Sequence, residues 1–394
     1  MQLSLTSGYA TPLATSRQAE GVKIYERFSD LPKSYDALFA ACAGKSFFHS
    51  LPWFQNLCDT ALDPGDKIRI YALETQQATE VLSAALVTRW RPASALGFFP
   101  RTLSSLSNFY TSLYGPLLLP GNGSAATLQK VACSIRADSP AWDAVDLKWL
   151  DRQSPVFVEL EQALRSAGML VQTYFCAGNW YLPVRGRSYR QYFDDLRSSV
   201  RNIAKSKNRK IERSGRARVD IVTGAARLES AIEAYQRVYA SSWKVPEPYP
   251  QFIPGLIRTC AREGWLRLGI AHIDGEPAAA QIWIVCNGTA SIYKIAYDKR
   301  FIDLSVGSYL TTHMMEYALD VDKVNEVDYL TGDDKYKQDW MSNRRERWGI
   351  LAMNPRTVRG GLAIARHIGG RMAKRAFQSW IKRPPKLPMA ARIS

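Results

Sequence analysis

The residues best suited to chemistry fall in two short stretches near the C-terminal end of the sequence. Gly332-Asp333-Asp334 is followed closely by Tyr336 and Lys337, and Asp298 stands just after a β-rich run. A carboxylate, a phenol and an ammonium within five positions can deprotonate an acceptor, protonate a leaving group and neutralise a developing oxyanion. The same Gly-Asp turn also suits a plain helix cap, and Tyr336 also suits a core. The second stretch is Ser305-Val306-Gly307-Ser308, a small-residue turn leading into a run with helical spacing at Tyr309, His313, Met314 and Ala318. The free amides at such a helix start can hold a phosphate or pyrophosphate, although an ordinary strand-to-helix connection has the same appearance.

The elements that must position these residues are legible around them. Residues 266–273 and 278–285 are β-rich and flank Asp274-Gly275, a strong hairpin signal. A third strand, 290–297, follows Asn287-Gly288, so three adjacent antiparallel strands are expected, with Gln281 on the second. Residues 298–304 read as a loop, and 326–330 as a short strand that delivers the Gly332 turn.

The order DGEPAAAQ, YKIAYDKRF, LSVGSYL, VDYLTGDDKYKQDW resembles the GNAT-superfamily acyltransferases of the cellulose-biosynthesis-associated type, which are related to the Fem-type peptidoglycan aminoacyltransferases. SFFHSLPWF at 46–54 and SVRNIAKSKNRKIERSG at 199–215 extend the resemblance over most of the chain. It implies an acyltransferase that uses acetyl-CoA or another acyl-CoA and needs no metal. Its acceptor would be a small molecule or a glycan, bearing an amine or hydroxyl. The G-D-x-x-Y-K pattern carries a substrate-site role onto Gly332, Asp333, Tyr336 and Lys337. The phosphate-binding loop would be Ser305, Val306, Gly307 and Ser308, where Gly307 stands in place of the usual pair of glycines.

The first part of the chain follows a similar order. A hairpin at 68–73 and 79–88, a strand at 113–119, a Gly121-Asn122-Gly123 turn, a helix to about 136 and a strand at 142–147 precede a helix at 155–166 and a strand at 169–175. The expected fold is therefore α+β, with tandem GNAT-like domains, each a mostly antiparallel sheet flanked by helices. The boundaries read as a mobile N-terminus at 1–20, domains at 21–185 and 186–354, and a basic amphipathic tail at 355–394.

The net charge of +16 in 394 residues is concentrated. Residues 355–394 hold ten Lys and Arg with no acid, and 197–218 hold nine with Glu212 as the one acid, so the rest is close to neutral. A general nucleic-acid coat is excluded by that distribution. Residues 188–215 read as one long amphipathic arm whose stripe of Arg197, Arg201, Lys205 and Arg209 is either a solvated face or the lining of an anion-binding groove. Arg201 and Lys205 are the substrate-contact candidates there, and Lys207, on the apolar side, marks an expected bend or end of the helix. In the tail, apolar residues from Ile364 to Trp380 recur among basic ones, which suits an anionic membrane surface or packing on the domain. A cytoplasmic protein, peripheral on the inner face of the membrane, is the expected setting.

Six scattered cysteines, none in a C-x-x-C, read as reduced thiols, and the four histidines make no ligand set. No G-x-S-x-G elbow, Walker A loop or H-E-x-x-H occurs, which leaves triad hydrolases, P-loop NTPases and zincins without support. Two other readings stay open: an aminoacyl-tRNA-dependent transferase using the 197–218 stripe, and a non-catalytic module binding membrane or an acidic polymer.

Overall fold

The structure, a computed structural model, describes residues 21–77, 80–92, 99–119 and 124–366. The segment 1–20, the Gly121 and Gly123 turn and the tail beyond residue 366 lie outside the described residues. The first half runs β1 (Val22–Tyr25), α1 (Ser34–Ala43), α2 (Leu51–Ala61), β2 (Lys67–Gln77), β3 (Glu80–Trp90), β4 (Thr102–Ser105), β5 (Leu117–Leu118), α3 (Ser124–Ala137), β6 (Ala144–Asp151), α4 (Pro155–Ser166) and β7 (Leu170–Pro183). The second runs α5 (Tyr189–Asp195), α6 (Ser198–Arg213), β8 (Ala217–Val222), α7 (Leu228–Ala240), α8 (Phe252–Arg262), β9 (Leu266–Ile273), β10 (Glu276–Cys286), β11 (Thr289–Tyr297), α9 (Val306–Glu316), β12 (Glu326–Thr331), α10 (Lys337–Trp340) and β13 (Asn343–Met353).

One continuous mixed sheet carries both halves, in the order β1-β2-β3-β4-β6-β13-β7-β12-β11-β10-β9-β8, with β5 paired to β3. The order is close to symmetric. Each half is an antiparallel meander ending in one parallel pair, β4 with β6 and β11 with β12, and a helix bridges that pair each time, α3 or α9. The halves also exchange strands. β7, from the first half, pairs with β12, while β13, from the second, lies between β6 and β7. The α+β tandem GNAT-like arrangement expected from the sequence is the fold observed.

Sheet curvature and helix placement give three cores. Helices α1, α2, α7 and α8 share one core with β2, β3, β9 and β10, so it draws on both halves. Trp53 of α2 meets Phe252 of α8 edge-on at 5.7 Å between ring centres. Gly255 lets the helices approach this closely, because a Cβ there would stand 2.3 Å from Asn56 Oδ1. Helices α3 and α4 cover the other side of the first half, and α5, α6 and α9 that of the second.

Local chemistry explains most element ends. Asp274 and Gly275 take φ of 53° and 84°, which makes the β9–β10 hairpin turn at the Asp-Gly pair. Pro at the first position of α4 and a capping box of Ser188 and Gln191 at α5 start those helices. The expected single arm at 188–215 is instead two helices, since Leu196 and Arg197 are non-helical. α6 then runs past Lys207 to Arg213 without a bend there. The expected strand at 113–119 is reduced to Leu117–Leu118, and the loop at 298–304 is a 3-10 turn over Lys299–Leu304.

Candidate active site

The parallel pairing of β11 and β12 covers only Thr289–Ser291 against Glu326–Asp328. Beyond it the strands separate, and β12 turns away through Leu330 at φ 56° and Gly332 at φ 119°. Among the described residues, the backbone of 292–297 thus has no strand partner on that side. Helix α9 begins at the head of this opening. Ser305 takes a left-handed conformation, φ 55° and ψ 39°, and the Tyr309 N–H donates to the Ser305 carbonyl at 3.1 Å as the first bond of the helix. The amides of Val306, Gly307 and Ser308 precede that bond and have no acceptor within the helix.

A cavity of about 550 Å³ fills the opening and reaches the head of α9. Gln281 on β10 and Thr311 on α9 tie strand to helix beneath it. Gln281 Nε2 donates to the Gly307 carbonyl at 3.1 Å and to Thr311 Oγ1 at 2.8 Å, while its Oε1 accepts the Trp283 indole N–H at 2.9 Å. The Tyr297 ring lies so close that a Cβ at Gly307 would stand 3.2 Å from it. The opposite wall is the apolar face of α6, Val200, Ile203 and Ala204, with Lys207 beyond. Lys207 Nζ donates to the Asp303 carbonyl at 3.2 Å, which bends the side chain to the cavity mouth. Trp243 packs on Tyr297 with 4.5 Å between ring centres.

Lys244 and Tyr336 both line this cavity. Burial, reinforced by the positive charge of Lys294, holds the Lys244 ammonium below the usual lysine range. The Tyr336 phenol is pushed up to about 12 by burial and by the Asp334 carboxylate, although one face remains open to solvent. Behind Lys244, Glu247 accepts from Tyr110 Oη and from Lys294 Nζ, both at 2.6 Å, so its carboxyl is held ionised.

The structure brings Ser305, Gly307, Ser308, Gln281 and Tyr336 together around the cavity and places Asp334 with them. Val306 is in the same turn, but its side chain is buried in the core beneath α9, so its amide alone is offered. Other candidates are engaged elsewhere. Asp298 is 2 % exposed and closes onto the Arg300 guanidinium at 2.8 Å and the Arg300 amide at 2.9 Å. Asp333 makes a two-pronged ion pair with Arg344, 2.8 and 3.0 Å. Hydrogen bonds from these arginines hold both carboxyls below the usual range, which makes them poor bases. Lys337 is buried, its Nζ donating to the Thr331 carbonyl at 2.6 Å and the Tyr329 carbonyl at 3.3 Å, with Asp334 3.6 Å away. It fastens the end of β12, and Gly332 makes that turn possible through its positive φ. Arg201 and Lys205 do not face the cavity. Arg201 donates to the Leu196 and Asp194 carbonyls, and Lys205 stands 4.0 Å from Asp194 and above the Phe193 ring. The cationic stripe therefore lies outside, and the apolar side of α6 is the side turned inward.

Trp243, Lys244 and Glu247 were not singled out by the sequence reading. Their signal is the run WKVPEPYP, in which prolines at 246, 248 and 250 stiffen an extended loop that can hold polar side chains in place. Among the described residues no group of three or more His, Cys, Asp or Glu could hold a metal, and no helix is long and apolar enough to cross a membrane.

Residues 198–338 match the family described as an acetyltransferase (GNAT) domain. No curated protein matches the chain in sequence. Among solved structures, FemX has a similar fold: TM-score 0.57 at 10 % identity, covering 84 % of this chain and 96 % of that one. A tandem GNAT protein from the clavulanic acid biosynthesis pathway aligns at TM-score 0.48 and 12 % identity, covering 84 % of this chain and 98 % of that one. The matched segment runs from the start of α6 through α9 to Gln338 and contains the cavity wall apart from Asp339 and Trp340, so the half of the chain that holds the cavity is the part similar to an acetyltransferase (GNAT) domain.

Proposed function

We propose that the chain is an acyltransferase that takes an acyl group from acetyl-CoA or another acyl-CoA and passes it to an amine or hydroxyl. The observation that carries this reading is the position of the cavity, between two diverging parallel strands and at the free amides of α9. Those amides suit a pyrophosphate. The unpaired edge of 292–297 suits a chain that itself carries amides, and the cavity width between Tyr297 and α6 suits an extended arm. Bound there, acyl-CoA would supply an activated thioester.

The residues of the chain meet the remaining needs. Lys244, with its ammonium destabilised, is the group best placed to accept the acceptor's proton. Tyr336 keeps its proton at neutral pH and serves to donate it to a departing thiolate. Asp298 and Asp333, held ionised by arginines, orient backbone and turn instead. The family resemblance directs the acceptor towards polysaccharide or cell-envelope precursors.

Calorimetric titration with acetyl-CoA, longer acyl-CoAs and free CoA tests the reading, with Gly307→Glu as the control. Saturable binding that the variant loses supports the α9 site, because the new carboxylate blocks the amides and collides with Tyr297. Failure of every CoA species to bind the folded protein overturns the reading in favour of an aminoacyl-tRNA donor or a non-catalytic module.

A further inference from the structure

A second cavity, about 280 Å³, lies on the other face of the sheet at the seam between the halves. Strand alternation places it there: Glu326, Asp328 and Leu330 of β12 line it, whereas Val327 and Tyr329 belong to the core under α9. Each neighbouring strand supplies a polar side chain, Asn179 from β7 and Arg345 and Arg347 from β13, and Lys45 enters from the turn ahead of α2.

The charges in this cavity are arranged in two ends. At one, Arg345 Nη2 meets Glu326 at 2.7 Å and Asp328 at 2.6 Å, one cation against two carboxylates. At the other, Arg347 and Lys45 face a single carboxylate, Asp151, 3.5 Å from Arg347 Nη1. Lys45 and Asp151 also line the adjoining cavity beside His49. Arg347 is 3 % exposed and is steadied through Nη2 by Asn179 Oδ1 at 2.9 Å, yet its Nε and Nη1 have no hydrogen-bond acceptor among the described residues. Among the described residues, Lys45 Nζ donates only to the Leu118 carbonyl, at 3.5 Å. A buried guanidinium with unmatched donors is costly unless an anion completes it.

We propose that this cavity is a second ligand site, one that binds a small carboxylate through Arg347 and Lys45. Asn179 Oδ1, which also accepts from Arg345 Nε at 2.7 Å, fixes the Arg347 guanidinium, and a volume equal to that of about nine waters admits a small molecule. The excess of acid at the Glu326 end offers a place for an ammonium group on the same molecule. Because the site is separated from α9 by the sheet, it does not rest on the acyl-donor reading.

Acetate and glycine, titrated calorimetrically into the full chain at low ionic strength without any CoA, are the probes. Saturable binding of either is expected, with tighter binding of glycine marking an amino-carboxylate and tighter binding of acetate a plain one. Lys45→Gln, a change at an exposed position, should weaken binding at least about tenfold, the worth of one hydrogen bond to a charged group. Arg347→Gln should abolish it, and Arg201→Gln, outside the cavity, should leave it unchanged. If Arg347→Gln does not fold, Lys45→Gln decides. The proposal is overturned if neither probe saturates the wild-type protein, or if Lys45→Gln binds as tightly as wild type.

Discussion

Gln281 Nε2 donates to the carbonyl of Gly307 at 3.1 Å, joining the middle strand of the second meander to the first turn of α9. The amide side chain is fully used, since it also binds Thr311 and accepts from Trp283. Replacing it with Leu keeps the volume but leaves the Trp283 indole and one bond of the Gly307 carbonyl unmet. Gln281→Leu should lower stability by about 1–3 kcal/mol, the cost of buried unsatisfied groups, and weaken acyl-CoA binding through the displaced turn. Thermal melting and calorimetry together check this, and an unchanged melting temperature would contradict it.

Lys244 and Tyr336 should separate in their pH behaviour. With its ammonium destabilised by burial, Lys244 loses its proton at lower pH than an ordinary lysine. Activity should therefore rise with pH through that depressed value and level off above it. Lys244→Met should remove this acidic limb and reduce kcat about a hundredfold, and Tyr336→Phe should reduce kcat while leaving the limb in place. A limb that survives in Lys244→Met would assign the base elsewhere.

Lys337 and Asp333 should behave as structural residues. Lys337→Met leaves the Thr331 and Tyr329 carbonyls without their donor and should cost about 1–3 kcal/mol. The Asp333–Arg344 pair is partly exposed on both sides, so Asp333→Asn should cost under about 1 kcal/mol. Measured per folded molecule, turnover should be retained in both. A loss of turnover without a fall in melting temperature would restore them to the catalytic group.

His49 should make the fold sensitive to mild acid. Burial, then the charges of Lys45 and Arg347, lower its pKa from 6.5 to about 4. Below about 6.5 the unfolded chain takes up a proton that the folded chain refuses. Stability thus falls as pH drops from about 6.5 to about 4, by up to about 3 kcal/mol. Denaturant unfolding of wild type and His49→Gln across that range should show a slope in the first that is smaller in the second.

The sequence alone determined those features whose cause is local. The Asp274-Gly275 turn, the Pro155 helix start and the small-residue entry to α9 are set by φ preferences and missing N–H groups, and they stand where the residues put them. The tandem order of elements was legible for the same reason, because each half repeats the alternation of strand, turn and helix. What only the tertiary structure decided are relations between distant residues. No local signal directs β13 between β6 and β7, or turns the apolar side of α6 rather than its charged stripe towards the cavity. The partners of the acids were equally hidden. Asp298 and Asp333 look catalytic by type and position, yet Arg300 and Arg344 hold them ionised, while the Lys244 ammonium is destabilised by burial that its sequence neighbours do not announce. A side chain's chemistry depends on its solvent and its charged neighbours, and these are set only when the two halves close on each other.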